Sequence, residues 1–127
     1  ADRFREAAAK IDLAGIINKS ANDLLAARGN PPLAPPQEDA SHTLLIEIRN
    51  WGLIRSTQDD PRLRAFLNLS WKVLDAEGNI VFEKKRENAV GPTLRLLDEY
   101  SNEILTAEME TLAAKAGPLV AYQIIYR

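Results

Sequence analysis

The sequence predicts an α+β domain of element order α-β-β-β-α-β, with two helices packed on one face of a four-stranded, mostly antiparallel sheet. Three observations predict it. Two alternating runs, Leu67-Asn68-Leu69-Ser70-Trp71-Lys72-Val73 and Ile80-Val81-Phe82-Glu83-Lys84, flank the turn sequence Asp75-Ala76-Glu77-Gly78-Asn79. A period of two gives each strand one wet and one dry face, so the hairpin has to be covered. Two further stretches repeat apolar residues at steps of three and four, the spacing of a helix with one apolar stripe. The last run, residues 119–126, alternates again.

Taken in order, residues 2–28 place Phe4, Ala7, Ile11, Ala14, Ile17, Ala21, Leu24 and Leu25 on one helical stripe. Gly29 and Pro31-Pro32 stop this helix, as a left-handed glycine followed by proline does. Asp12 and Gly15 are weak helix formers and mark a place for a kink. Residues 30–42 hold Pro31, Pro32, Pro35 and Pro36, and read as an extended connection from helix to sheet. In the strand 43–51, Leu44, Ile46 and Ile48 face one way, and Leu45, Glu47 and Arg49 the other. Parity puts Trp51 on the face opposite Ile48. A charged connection, 52–64, leads to the hairpin. There Leu67, Leu69, Trp71 and Val73 share the dry face with Ile80 and Phe82, and Asp75 and Gly78 suit a turn closing through a left-handed residue.

Gly91-Pro92-Thr93 opens the second helix with Thr93 as its cap. Leu94, Leu97, Tyr100, Ile104, Leu105, Met109 and Leu112 form its stripe, and Gly117-Pro118 ends it. The final strand then has Val120, Tyr122, Ile124 and Tyr126 on one face and Leu119, Ala121 and Ile125 on the other. Three consecutive strands make an antiparallel meander, so the last strand pairs at its edge, parallel to strands one and three.

With 127 residues the chain is one domain: a long helix over 1–29, the proline-rich connection over 30–42 and a β-β-β-α-β body over 43–127. A net charge of -2 argues against nucleic acid as a partner, which requires a basic field. The sequence has no cysteine, so disulfides, thiolate metal sites and cysteine nucleophiles are excluded. No apolar run approaches the roughly 20 residues that span a bilayer. Ala1 falls inside a helical pattern, which suggests a trimmed or processed product.

No catalytic or ligand motif stands out, and neither a cofactor nor a metal is expected. The sole histidine, His42, reads as a surface loop residue. The Asp75–Asn79 segment lacks the ligand spacing of an EF-hand and reads as a turn. Asp59, Asp60, Glu83 and Glu87 are the carboxylates nearest to forming a pair. Lys84-Lys85-Arg86, with Arg49, Arg55, Arg62, Arg64 and Lys72, form the candidate anion-facing surface, against the plainer reading of a charged outer strand face. Trp51, Val120, Tyr122, Ile124 and Tyr126 are the candidate partner-binding residues. A strand apolar on both faces and placed at an edge needs a cover, from another chain, an upstream segment or a second copy. Irregular segments of the same chain are the alternative cover.

The order of features resembles the small bacterial envelope lipoproteins, among them the auxiliary lipoproteins of ABC-type transport systems. The resemblance rests on a long helix, the strand Leu44-Leu45-Ile46-Glu47-Ile48, the run from Leu69 through Asp75-Ala76-Glu77-Gly78-Asn79 to Phe82, and the following alanine- and leucine-rich helix. It implies a periplasmic, non-catalytic accessory domain tethered through a lipid anchor upstream of Ala1; a cytoplasmic protein is the alternative. The expected function is binding or assembly in the cell envelope through the open sheet face and the terminal strand. The rival readings are a carrier holding a lipid or other apolar ligand near Trp71, Phe82 and Tyr100, and a compact enzyme built on converging carboxylates.

Overall fold

The computed structural model describes residues 11–29 and 42–126. The first described helix, α1, spans Leu13–Ala27. Asp12 caps it: its carboxylate accepts the Gly15 N–H at 2.9 Å, satisfying one of the unpaired donors of the first turn. Asp12 thus starts a helix where the sequence pattern placed a kink, and residues 1–10, which that pattern joined to it, lie outside the described residues. Leu13, Ile17, Ala21 and Leu25 are buried along one stripe. Gly29 ends the helix in the left-handed region (φ 75°), donating to the Ala26 carbonyl at 3.0 Å.

Three strands, β1 (His42–Arg55), β2 (Leu63–Asp75) and β3 (Ile80–Val90), form an antiparallel sheet in the order β1-β2-β3. On β2 the alternation is strict: Ala65, Leu67, Leu69, Trp71 and Val73 are buried. The β2–β3 turn closes as its sequence dictates. The Asp75 carboxylate accepts the Glu77 and Asn79 N–H groups at 3.0 and 2.9 Å, and Gly78 supplies a φ of 85°. Those bonds, chiefly from Asn79, hold the Asp75 carboxyl below the usual carboxylate range. His42 is the first residue of β1, opposite Asp75, rather than a loop residue.

A β-bulge at Arg49 changes the face of everything after it. Ile48 opposes Leu69, and after the extra residue Asn50 opposes Asn68 and Trp51 opposes Leu67. Trp51 therefore lies on the same inner face as Ile48, half-buried against the core. Parity without the bulge assigned it to the outer face.

Between β3 and the second helix the chain runs extended rather than helical. The Gly91 N–H donates to the Ala65 carbonyl at 2.8 Å, and Arg95 and Leu63 exchange both backbone bonds. A short 3₁₀ turn, Leu97–Glu99, follows. Tyr100 is buried, and its hydroxyl donates to the Leu63 carbonyl at 3.2 Å. Burial, reinforced by the Glu108 carboxylate, pushes that hydroxyl up to about 12. The helix α2 begins only at Asn102, capped by Ser101, whose hydroxyl accepts the Ile104 N–H at 3.1 Å. Thr93 is not its cap.

α2 spans Asn102–Ile125 without interruption, so the predicted fourth strand is its last two turns. Gly117 is a point of close approach between the two helices: a Cβ there would lie 2.5 Å from the Ser20 Cβ and 2.6 Å from the Ala21 nitrogen. Pro118 has no N–H to give the Ala114 carbonyl one turn back. The Ser20 hydroxyl of α1 donates to that carbonyl instead, at 2.5 Å. The Gly-Pro pair that normally stops a helix is here a crossing point whose lost bond is replaced from the other helix. Arg28 reaches Tyr126 in the same sense that Ser20 reaches Ala114, so the helices run parallel. Both cover the inner face of the sheet, and Leu105, Met109, Leu112, Val120 and Ala121 complete the core.

Candidate functional site

The outer face of the sheet is covered by no described element. Its side chains form rows across the strands: Leu45–Lys72–Glu83, then Glu47 and Ser70, Asn50–Asn68–Asn88, and Gly52–Phe66–Val90. Bulges set what lies beside them. In β1 the extra residue is Arg49. In β3 the register shifts between Lys84 and Glu87, so Lys85 and Arg86 together face the single position Ser70. These bulges lie near each other on opposite edge strands, one beside Asn68 and Leu69 and the other opposite Ser70, and a bulge re-aims its side chains and deepens the local twist.

Two adjoining hollows result, of about 600 and 570 Å³, and Arg49 and Lys85 line both. The first includes Glu47, Ser70, Lys72 and Glu83. The second includes Ile54, Phe66, Asn68 and Asn88, with Arg86. Phe66 lies against Gly52, where a Cβ would stand 3.4 Å from its ring. Ile54 and Val90 are about half exposed. Arg49 pairs with Glu47 at 2.9 Å, both well exposed. Lys72, Lys85 and Arg86 have no ion pair among the described residues.

The other expected site residues scatter. Val120 is fully buried in the helix seam and available to no partner. Ile124 packs on the core. Tyr122 and Tyr126, one helical turn apart, stack with centroids 6.1 Å apart, and Tyr126 is exposed. Arg28 caps this pair, lying 5.6 Å over the Tyr122 ring and donating to the Tyr126 hydroxyl at 3.0 Å. The edge-pairing argument for these residues falls with the strand, because a helix satisfies its own backbone. The carboxylates do not converge. Asp60 forms a local pair with Arg62 at 2.9 Å, Glu83 faces the outer hollow, and Glu87 lies on the inner side. There Glu87 accepts from Gln123 and, at 3.5 Å, from the Trp71 indole.

The volume assigned to an apolar ligand holds the protein's own side chains. Trp71 stacks on Phe82 at 5.2 Å, and Trp71 and Tyr100 are each 2% exposed. The sequence pattern singled out the cations, including Arg49, but wrongly placed Lys84, which opposes Trp71 on the inner side, on the same surface, and it missed the asparagine row. Its three members are spread over residues 50–88 and align only once the register is known.

No family model matches this sequence, and no curated protein matches it. Solved structures do resemble it. A protein of Caulobacter crescentus CB15 assigned as a lipoprotein superposes with a TM-score of 0.56 at 17% identity, covering 89% of this chain and 80% of that one. A minor lipoprotein of Acinetobacter baumannii gives a TM-score of 0.61 at 14% identity, over 87% of this chain and 83% of that one. At such identities the likeness is one of fold. The α+β architecture of this chain, two helices on one side of an antiparallel sheet, is shared with these two structures.

Proposed function

We propose that this protein is a non-enzymatic accessory domain of the bacterial cell envelope, working as a binding or assembly module through the outer face of its sheet. The observation that carries the reading is the asymmetry of the sheet. Both helices cover one face, while no described element covers the other, which is hollowed beside its bulges and lined by amides and by cations, of which Lys72, Lys85 and Arg86 have no ion pair among the described residues. The shared architecture with proteins assigned as lipoproteins supports the envelope setting, and the dispersed carboxylates favour binding over catalysis. The partner is another protein or a second copy, and a membrane enters only through an anchor upstream of Ala1.

Two experiments test this. Fractionation of cells expressing the full-length precursor should place it in the envelope; recovery in the cytosol overturns that setting. A photo-crosslinking amino acid at Ser70, on the outer face, should give discrete adducts in cells, whereas one at Glu110, on the exposed side of α2, should not. Equal labelling from both positions overturns the assignment of the working surface.

A further inference from the structure

We infer that the outer face takes an extended acidic segment of a partner protein, held by Arg49, Lys85 and Arg86 across the Asn68–Asn88 row. The inference rests on the binding-module reading and adds the chemistry of the partner.

Charge points first to an anion. Rows and bulges put Arg49, Arg64, Lys72, Lys85 and Arg86 on or beside this face, against Glu47 and Glu83, while the whole chain carries -2. Of the two carboxylates, Glu47 is engaged with Arg49, and Glu83 has no ion pair among the described residues. A second copy docking face to face would set cations against cations, which is destabilising.

Hydrogen bonding is compatible with an acceptor-rich ligand. The Asn50 side-chain oxygen Oδ1 accepts the Trp51 N–H at 3.0 Å, which leaves its NH₂ group as a donor. Asn68 and Asn88 have no side-chain bond among the described residues, so the row offers NH₂ donors beside two guanidinium groups and an ammonium.

Shape selects a chain over a surface. The cations stand on the two outer strands, roughly 10 Å apart at the ordinary strand spacing. That width suits one extended peptide. A flat layer of lipid headgroups would rest on the rim and leave Ser70 and Asn68 on the floor untouched. The adjoining row of Phe66 and Val90, with Ile54 beyond, gives an apolar seat for a hydrophobic residue next to the acidic stretch.

The test uses a short fluorescent peptide rich in glutamate and ending in Leu-Phe, its counterpart with glutamine at every glutamate, and vesicles of phosphatidylglycerol. The glutamate peptide should bind at low salt and weaken steeply as salt rises, and the glutamine peptide should bind at least about tenfold more weakly. Lys85→Gln with Arg86→Gln should weaken the glutamate peptide about tenfold, while Lys115→Gln, on the far layer, should not change it. Unaltered thermal melts would show that the variants fold. Failure of the glutamate peptide to bind, or binding indifferent to Lys85 and Arg86, overturns the inference. So does retention on the vesicles through these cations without peptide binding, which would make the face a lipid surface. Protein adducts from Ser70 together with any of these results would leave the binding-module reading intact and discard only the acidic segment.

Discussion

The two faces of β2 come from one run of residues and meet opposite fates. Toward the helices, Ala65, Leu67, Leu69, Trp71 and Val73 are at most 3% exposed. Away from them, Arg64, Phe66, Asn68, Ser70, Lys72 and Leu74 remain half-buried, and no described element covers them. Burial of the first set supplies the driving force that holds the layers together. The second set contributes little to that burial, so its polar groups are not dictated by the fold. The difference separates what specifies the architecture from what is free to serve a partner.

The largest break in this comparison should come from the inner face. Trp71→Ala removes a ring stacked on Phe82 and hydrogen-bonded to Glu87, and should cost about 3–5 kcal/mol in urea unfolding. A comparable loss from Ser70→Ala, one residue away on the outer face, would show that the two faces are not energetically distinct.

The helix seam comes next, because it decides whether both helices sit on one side. Gly117→Ala forces a methyl group against the α1 backbone at Ala21, where no side-chain rotation can relieve it. The overpacking should outweigh the better helix propensity of alanine and leave a net loss of about 2 kcal/mol. Unchanged thermal stability would mean that the helices cross less closely than this geometry requires.

A smaller effect sharpens the same seam. Ser20→Ala should cost about 1 kcal/mol, since it leaves the Ala114 carbonyl without a donor. In a Pro118→Ala background the same substitution should cost almost nothing, because residue 118 regains the N–H that an unbroken helix gives that carbonyl. A double-mutant cycle by denaturant titration reads the difference directly. Equal costs in the two backgrounds would dissociate the serine from the proline.

How far the sequence disclosed this arrangement follows from where each signal lies. The β2–β3 hairpin, the inner face of β2 and the Asp75–Gly78 turn were legible because period and turn chemistry are local. The end of α2 was not. Gly117-Pro118 is a local stop signal, and what overrides it is Ser20, 94 residues or more upstream. Residues 119–126 also satisfied both periods: Val120, Tyr122 and Ile124 alternate, yet Ala113, Ala116, Gly117, Val120 and Ala121 follow the helical one. The start of α2 was misplaced because residues 91–95 run extended, paired to Ala65 and Leu63, a tertiary bond that local propensity does not report. Trp51 was assigned to the wrong face by a single inserted residue, Arg49, and no local signal announced that bulge. The cations were visible as a tract, but the tract is split: Lys84 opposes Trp71 on the inner side, while a bulge sets Lys85 and Arg86 opposite Ser70 and a second bulge, beside Asn68 and Leu69, brings in Arg49.

The smallest expected effect on stability is the most informative about the outer face. Lys85 and Arg86 make no ion pair among the described residues, and they stand on an exposed, bulged edge strand. Changing both to glutamine should therefore move the unfolding free energy by no more than about 0.5 kcal/mol. A slight stabilisation is the physically natural sign, because adjacent like charges repel and the substitution relieves them. A loss of a kilocalorie per mole or more would mean that these cations support the sheet itself, for instance by fixing the bulge opposite Ser70. The uncovered face would then be part of the scaffold, and its charges would need no partner to explain them.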